Sequence, residues 1–98
     1  MRQRPLNGSA RDKNEPEIIQ AFENLGCIVL RMHPPMPDLL VGIRGRWTLV
    51  EVKTPRGKLT RAQQTLSDKL KHSTLELEVV RSVADAVALV RDTGYEGS

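Results

Sequence analysis

Two carboxylates and one ammonium group could do chemistry in this sequence of 98 residues. Asp38 stands directly after Pro37, and twelve residues separate it from Glu51. Lys53 follows two positions later, so a β-strand would place the side chains of Glu51 and Lys53 on one face. Burying a carboxylate and an ammonium group costs free energy, so their presence together at a partly buried position points to a function. The spacing therefore predicts a functional site whose chemistry depends on these three charged side chains.

A hairpin between these segments decides whether the two carboxylates meet. A two-residue turn at Arg44 and Gly45 opposes Asp38 to Glu51, and directly opposed side chains have Cβ atoms about 4.5–5.5 Å apart. Like charges at that distance repel, and a divalent cation between them removes the conflict, since Mg²⁺ prefers a few carboxylate oxygens plus water. A three-residue turn would oppose Asp38 to Val52 and break the site. The hairpin register is therefore a sharp test.

Together these groups suit the hydrolysis of a phosphodiester bond. That reaction needs a nucleophilic water, neutralisation of the phosphate charge and a stabilised leaving group. A divalent metal neutralises charge and activates water, and Lys53 would orient or deprotonate the water and bind the phosphate. Simpler explanations stand beside this one: Asp38 at a strand entry, and Glu51 with Lys53 as a surface salt bridge. Their joint occurrence in one register favours the site.

Seven predicted elements position these residues, in the order α-β-β-β-α-β-α. Three consecutive strands predict an antiparallel meander, and the last strand arrives through a helical crossover, which predicts parallel pairing. The fold class is therefore α/β, with a central mixed four-stranded sheet. The elements are a helix over 14–25, strands over 27–32, 38–43 and 47–53, a helix that begins after Thr60, a strand over 75–80 and a helix that begins after Ser82.

Capping residues and apolar stripes support the three helices. The pairs at capping-box spacing are Asn14 with Glu17, Thr60 with Gln63, and Ser82 with Asp85. The expected buried stripes are Ile18, Phe22 and Leu25 in the first helix, Leu66 and Leu70 in the second, and Val83, Val87 and Val90 in the third. Because capping explains Glu17 and Gln63 fully, a structural and a functional role both stay open for them.

Composition indicates one small domain with a modest basic excess, a net charge of +3. The predicted organisation is a disordered basic arm over 1–13, a domain over 14–92 and a loose tail over 93–98. The single cysteine, Cys27, excludes an intrachain disulfide and is expected in the core. No apolar stretch is long enough to cross a membrane and no signal peptide is evident, so we expect a cytoplasmic protein. A core this thin favours a dimer.

Several motifs in this order resemble a known family. Pro37-Asp38, followed after twelve residues by Glu51-Val52-Lys53, is similar to the signature of the PD-(D/E)XK nucleases. The resemblance extends over 14–18, 25–27, 37–42 and 59–63, and it runs from residue 14 to about residue 90. Together these segments resemble the small stand-alone VRR-NUC proteins of phages and bacteria, which are similar to Holliday-junction resolvases. The resemblance implies a restriction-endonuclease-like fold and a metal-dependent endonuclease that acts on DNA.

The resemblance also implies roles for the residues that match the signature. Asp38 and Glu51 would bind Mg²⁺ or Mn²⁺, with help from the backbone carbonyl of Val52. Lys53 would be the catalytic lysine. The preferred DNA structure stays open among junctions, flaps, nicks and plain duplex.

Two further residues match the family outside the signature. Glu17 on the first helix would be an additional acidic residue that helps to hold the metal. Gln63 would orient the lysine or the phosphate. Glu15 could substitute for Glu17, but as the first residue of the helix it is expected to point elsewhere.

Basic residues near the predicted site could bind DNA phosphates, or they could form an ordinary solvated surface. They are Arg44, Arg46, Arg56, Lys58 and Arg61. Trp47 is expected to pack against a helix or a second copy of the chain, and His33 to be a solvated loop residue. Two alternatives to the nuclease hypothesis remain: a non-catalytic DNA-binding module on the same fold, and an interaction protein whose basic residues serve solubility.

Overall fold

The structure is a computed structural model that describes residues 12–93. The predicted arm and tail therefore lie outside the described residues, apart from Asp12, Lys13 and Thr93. The element order α-β-β-β-α-β-α is confirmed, with α1 Glu15–Asn24, β1 Ile28–Arg31, β2 Leu39–Ile43, β3 Arg46–Val52, α2 Arg61–His72, β4 Leu77–Val80 and α3 Val83–Asp92. No helix within this range is long and apolar enough to cross a membrane.

The four strands form one mixed sheet in the order β1-β2-β3-β4. The first three strands pair antiparallel and β4 pairs parallel to β3, as predicted. The β2–β3 ladder pairs Leu39 with Val50 and Ile43 with Arg46, which leaves a two-residue turn. Arg44 has φ 49° and the following glycine has φ 83°, as a type I′ hairpin turn requires. The predicted register is therefore confirmed, and the three-residue turn is excluded.

One face of the sheet packs on α1 and α3 and forms the core. Leu39, Val41 and Ile43 alternate along β2 and are at most 1% exposed. They pack with Phe22 of α1 and Val90 of α3 in one aliphatic cluster that also contains the buried Cys27. Burial of each large side chain contributes about 1.5–3 kcal/mol. This packing fixes the strand ends that carry the predicted site.

The end of α1 differs from the prediction. Helix α1 stops at Asn24, where the amide of Gly26 donates to Glu23 and the amide of Cys27 to Phe22, both at 3.0 Å. This pair of bonds is a Schellman motif, and Gly26 has the positive φ, 89°, that it needs. Leu25 consequently lies beyond the buried stripe and is 45% exposed.

The apolar stripe of α3 and the start of β4 also need correction. The buried positions of α3 are Ala86 and Val90, whereas Val83, the first helical residue, is 38% exposed. Strand β4 begins at Leu77, and Leu75 lies before it in the connection from α2 with 54% of its surface exposed. The apolar residues of these segments therefore do not all share the core face.

The opposite face of the sheet is covered differently at its two ends. The register places Ile28, Gly42 and Trp47 side by side in one row. A Cβ atom on Gly42 would lie 3.3 Å from the Trp47 ring, so the indole lies over this glycine. Ile28 and Trp47 are nevertheless 61% and 59% exposed. At the other end, the Gln63 side chain of α2 reaches Glu51.

Candidate active site

A cavity of about 520 Å³ lies where β2 begins and β3 ends. Its polar lining comes from the two strands and the start of α2, and its apolar wall comes from the proline-rich loop before β2. The lining residues that carry chemistry are Asp12, Asp38, Glu51, Lys53, Thr60 and Gln63. The hairpin register produces this grouping, because Asp38 and Glu51 extend the ladder one step beyond the pair Leu39–Val50.

Asp38 and Glu51 interact directly at the floor of this cavity. The amide of Val52 donates to Asp38 Oδ2 at 2.9 Å, which holds the aspartate against the end of β3. Glu51 is only 3% exposed. The pKa of Glu51 is raised to about 8, first by burial and then by a hydrogen bond to the Asp38 side chain and by the Asp38 charge, against the opposing charge of Lys53. Two acidic groups thus share one poorly solvated place.

Gln63 joins the cap of α2 to the carboxylate pair. Its Nε2 donates to Glu51 Oε2 at 2.7 Å, and its Oε1 accepts from the Thr60 amide at 2.8 Å. The Thr60 hydroxyl accepts from the Gln63 amide at 3.1 Å, which completes the predicted capping box. Both sides of the side-chain amide are therefore used. The structure shows the structural role of Gln63 and adds a contact with Glu51 rather than with Lys53.

The two acidic residues in the first turn of α1 are placed differently. Glu17 is exposed and does not line the cavity, so the structure does not bring it to the carboxylate pair, and its role at a metal stays a prediction. Glu15 is instead 2% exposed and lies 3.6 Å from Arg31 Nε. The helical period explains the difference, because Glu15 precedes Ile18 by three residues and shares its buried face. The spacing between Glu15 and Ile18 is therefore the feature of the sequence that predicts the burial of Glu15.

Asp12 is a second acidic residue that the sequence analysis missed. It lines the cavity, although it falls in the segment predicted as a disordered arm. Burial raises the pKa of Asp12, the charge of Lys53 opposes this, and the charges of Asp38 and Glu15 add to it. Asp12 is therefore close enough to Asp38 of the carboxylate pair for the two charges to interact. No periodicity in the sequence marks it.

Asn14 does not act as the predicted cap of α1. It makes no side-chain capping bond, and its Nδ2 donates instead to the carbonyls of Lys53 at 3.1 Å and Arg81 at 3.0 Å. At α3, Ser82 accepts from the Asp85 amide as predicted, but the Asp85 carboxylate accepts from the amide of Arg81. Asn14 and Arg81 thus contact the backbone next to the site.

The carboxylates of the cavity are the candidate ligands of a divalent metal. Within residues 12–93, no group of three or more His, Cys, Asp or Glu side chains is arranged to hold an ion. Mg²⁺ commonly uses one or two protein carboxylates and takes its other ligands from water and substrate phosphate. Asp38 and Glu51 meet that requirement, and a cation between them would relieve the repulsion that helps to raise the pKa of Glu51. The residues present therefore fit such an ion.

The predicted DNA-binding residues fall into two groups. Arg44 and Arg46 lie at the hairpin tip, and Arg46 is five residues along β3 from Glu51, which is about 17 Å at ~3.3 Å per residue. Arg44 Nε also donates to the carbonyl of Val90 at 3.2 Å, at the end of α3. The structure therefore does not bring this pair to the cavity. The other three, Arg56, Lys58 and Arg61, are exposed on the loop and first helical turn next to Thr60. His33 lines the cavity from the proline-rich loop.

Comparison with solved structures finds a similar chain described as a VRR_NUC domain. The two chains are 25% identical and superpose with a TM-score of 0.68, over 84% of this chain and 99% of that chain. No protein-family model and no curated protein matches the sequence. The structural similarity gives the fold: the mixed sheet with flanking helices is the restriction-endonuclease-like fold of a VRR-NUC domain.

Proposed function

We propose that this protein is a metal-dependent DNA endonuclease that hydrolyses phosphodiester bonds. One observation carries the proposal: Asp38 and the buried Glu51 lie together in a cavity that Lys53 also lines. A protein that only bound DNA would have no use for two repelling carboxylates facing an anion. The VRR_NUC domain with the same fold supports a nuclease function.

Asp38 and Glu51 are the proposed ligands of Mg²⁺ or Mn²⁺. The Val52 carbonyl is a third proposed ligand, because a strand residue directs its N–H and C=O to the same side, and the Val52 amide faces Asp38. When bound, the ion would neutralise charge on the scissile phosphate as a Lewis acid.

Lys53 is the proposed catalytic lysine. It lines the cavity beside the carboxylates, where its ammonium group would hold the phosphate and orient the attacking water. Gln63 would keep Glu51 in place through its 2.7 Å hydrogen bond. The capping box fixes the other half of the Gln63 amide, so this support comes from a rigid helix end rather than from a free side chain.

We propose branched DNA, such as a four-way junction, as the substrate, cut by a homodimer with two active sites. Arg56, Lys58 and Arg61 would bind backbone phosphates beside the cavity, because all three are exposed next to its wall. The exposed Ile28 and Trp47 support self-association, since apolar side chains exposed together often mark an interface. The motif resemblance to phage and bacterial proteins supports a place in the cytoplasm of a bacterial cell.

Nicking of supercoiled plasmid with Mg²⁺ or Mn²⁺ tests the activity. The wild-type protein should nick, and Asp38→Ala and Lys53→Ala should each lower the rate by at least ~10²-fold, since each removes charge stabilisation or acid–base help. Asp92→Ala and Lys71→Ala are matched controls, because these residues are exposed and lie outside the cavity. Binding without cutting would favour a non-catalytic DNA-binding module. Neither binding nor cutting would favour an interaction protein.

Two further measurements test the finer proposals. A panel of four-way junctions, flaps, nicked and linear duplexes of equal length should show the fastest cleavage on junctions, and equal rates on all of them would contradict the branched substrate. Light scattering should give twice the mass of the 11.0 kDa chain. A single-chain mass at the concentration used for cleavage would contradict the dimer.

A further inference from the structure

Lys53 lies one residue beyond the end of β3, yet its backbone is held on both sides. Its amide donates to the carbonyl of Val80 at 3.0 Å, which continues the contact with β4. Its carbonyl accepts from Asn14 Nδ2 at 3.1 Å. A residue past a strand end normally loses this support, because the ladder that fixed it has stopped. Here another element restores it.

Arg81 holds the turn that follows Lys53. Its Nη1 donates to the carbonyl of Thr54 at 2.9 Å and also to the carbonyl of Gly57. Within the turn, the Gly57 amide donates to Thr54 at 3.0 Å. A Cβ atom on Gly57 would lie 3.1 Å from Thr54 Oγ1, so the turn closes tightly. One guanidinium nitrogen therefore joins both ends of the turn to the end of β4.

Asn14 and Arg81 are coupled through the backbone, and we name the pair the brace. Asn14 Nδ2 donates to the Arg81 carbonyl at 3.0 Å as well as to Lys53. The Arg81 amide is fixed in turn by the Asp85 carboxylate at 2.9 Å. The brace thus links the entry to α1, the end of β3 and the entry to α3. Neither member lines the cavity, so any effect on chemistry must pass through the backbone that they hold.

We propose that Asn14 and Arg81 are positioning residues for Lys53. By fixing the Lys53 carbonyl and the turn after it, the brace sets where the ammonium group stands relative to Asp38 and Glu51. A misplacement of a reacting group by about 1 Å can lower a rate by ~10²-fold, so backbone support at this residue affects the rate of the chemical step. This inference rests on the proposed nuclease function.

Single-turnover cleavage of plasmid separates positioning from DNA binding. Arg81→Met removes both donations at similar side-chain length, and it should lower the rate at saturating DNA by ~10-fold or more. The DNA concentration for half-maximal rate should stay within about threefold, since a positioning residue acts on the chemical step. Arg81→Lys keeps a donor and should recover most of the rate. Arg91→Met, an exposed residue at the far end of α3, matches the charge change and should cut like wild type.

Asn14→Leu provides an independent second variant. Asn14 makes no side-chain capping bond, so this change removes the donations to the Lys53 and Arg81 carbonyls without removing a helix cap. It should lower the saturated rate as Arg81→Met does. In both variants the Gly57 amide should exchange faster with deuterium, while core amides such as that of Val41 keep their protection.

Four outcomes would overturn the proposal. One is a wild-type rate at saturating DNA in both variants. The second is a raised half-maximal DNA concentration and a salt dependence weakened by about one phosphate contact, which would make Arg81 a phosphate ligand. The third is loss of the folded state in both variants, which would make the pair structural. The fourth is a wild-type protein that does not cut, which removes the nuclease proposal as well and so distinguishes the two failures.

Discussion

The two ends of strand β3 differ in the exposure of their side chains, and the difference is the opposite of what the polarity of the residues predicts. Trp47 and Glu51 lie on the same face of the strand, because side chains alternate along it. Trp47 is 59% exposed although it is large and apolar, and Glu51 is 3% exposed although it is acidic. The strand is otherwise ordinary, with Val50 and Val52 buried on the opposite face.

This contrast indicates that a requirement other than folding explains the residue at the acidic end of the face. A buried carboxylate is uncommon unless it is paired, and Glu51 sits beside a second carboxylate that raises its pKa. Nearby groups hold the pair nonetheless: Gln63 of α2 donates to Glu51, and the Val52 amide donates to Asp38. At the other end, the Trp47 ring lies over Gly42 and remains largely exposed to solvent. The burial of an acidic side chain departs from the usual pattern at one end only, and that is the end at which we propose the active site.

Asp38→Asn should have the largest effect and should act at the acidic end only. The substitution removes the second negative charge while keeping the side-chain size, so metal-dependent nicking should fall by ~10²–10³-fold. The pKa of Glu51 should fall from about 8, because the repelling charge is gone and an amide can donate to the carboxylate. Titration of the carboxyl carbons by NMR measures this shift without metal. Asp92→Asn is the control, and an unchanged Glu51 titration would show that burial alone raises that pKa.

Glu51→Gln should change the pH dependence of stability without metal. The pKa of Glu51 is about 8 in the folded protein and 4.5 in its unperturbed state. The folded state therefore holds a proton that the unfolded chain releases between these values. The contribution of Glu51 to stability is full below about pH 4.5 and is lost as the pH rises from there towards 8. The neutral glutamine lacks this dependence, so the variant should be more stable at pH 9 by about 1–3 kcal/mol.

Urea unfolding at pH 4 and pH 9 in a chelator measures this difference. At pH 4 the two proteins should differ little, because the Glu51 carboxyl holds its proton in both the folded and the unfolded chain. Glu23→Gln, at an exposed position of α1, should leave the pH dependence of the wild type intact. Equal stability of wild type and Glu51→Gln at pH 9 would mean that the buried acid costs the fold nothing.

Thr60→Ala should have a smaller effect, and it tests the support of the acidic end. The hydroxyl caps α2 through the Gln63 amide, and loss of such a cap costs about 1 kcal/mol. Because Gln63 also holds Glu51, the cleavage rate should fall as well, by severalfold. Thr60→Ser keeps the cap and should preserve both stability and rate. A loss of stability with an unchanged rate would show that the cap and the site are independent.

Much of the fold and part of the site follow from local patterns. Gly45 and the apolar alternation of the hairpin strands predict the turn, and the turn alone brings Asp38 to Glu51. Thr60 and Gln63 stand at a spacing that predicts their mutual bonds. Each of these signals involves residues close in sequence or a register fixed by burial. The helix order and the parallel pairing of β4 follow in the same way.

The parts that sequence patterns miss depend on contacts between distant segments. Asn14 looks like a cap, but its amide reaches Lys53 and Arg81, which are 39 and 67 positions away. No pattern of residues near Asn14 in the sequence predicts those partners. Glu15 differs, because its spacing from Ile18 predicts burial, whereas the resemblance to the family assigned the metal role to Glu17. Local capping rules therefore compete with tertiary contacts, and at the entry to α1 the tertiary contacts determine the structure.

Trp47→Ser should have the smallest effect and sharpens the contrast at the exposed end. In dilute protein the free energy of unfolding should fall by less than about 1 kcal/mol, because more than half of the side chain already faces solvent. Phe22→Ala in the core should cost about 3–5 kcal/mol by comparison. Repeating both measurements at rising protein concentration separates the causes. A Trp47 effect that grows with concentration would place this end of β3 in the contact between two copies, whereas a large loss in dilute protein would mean that the indole stabilises the single chain.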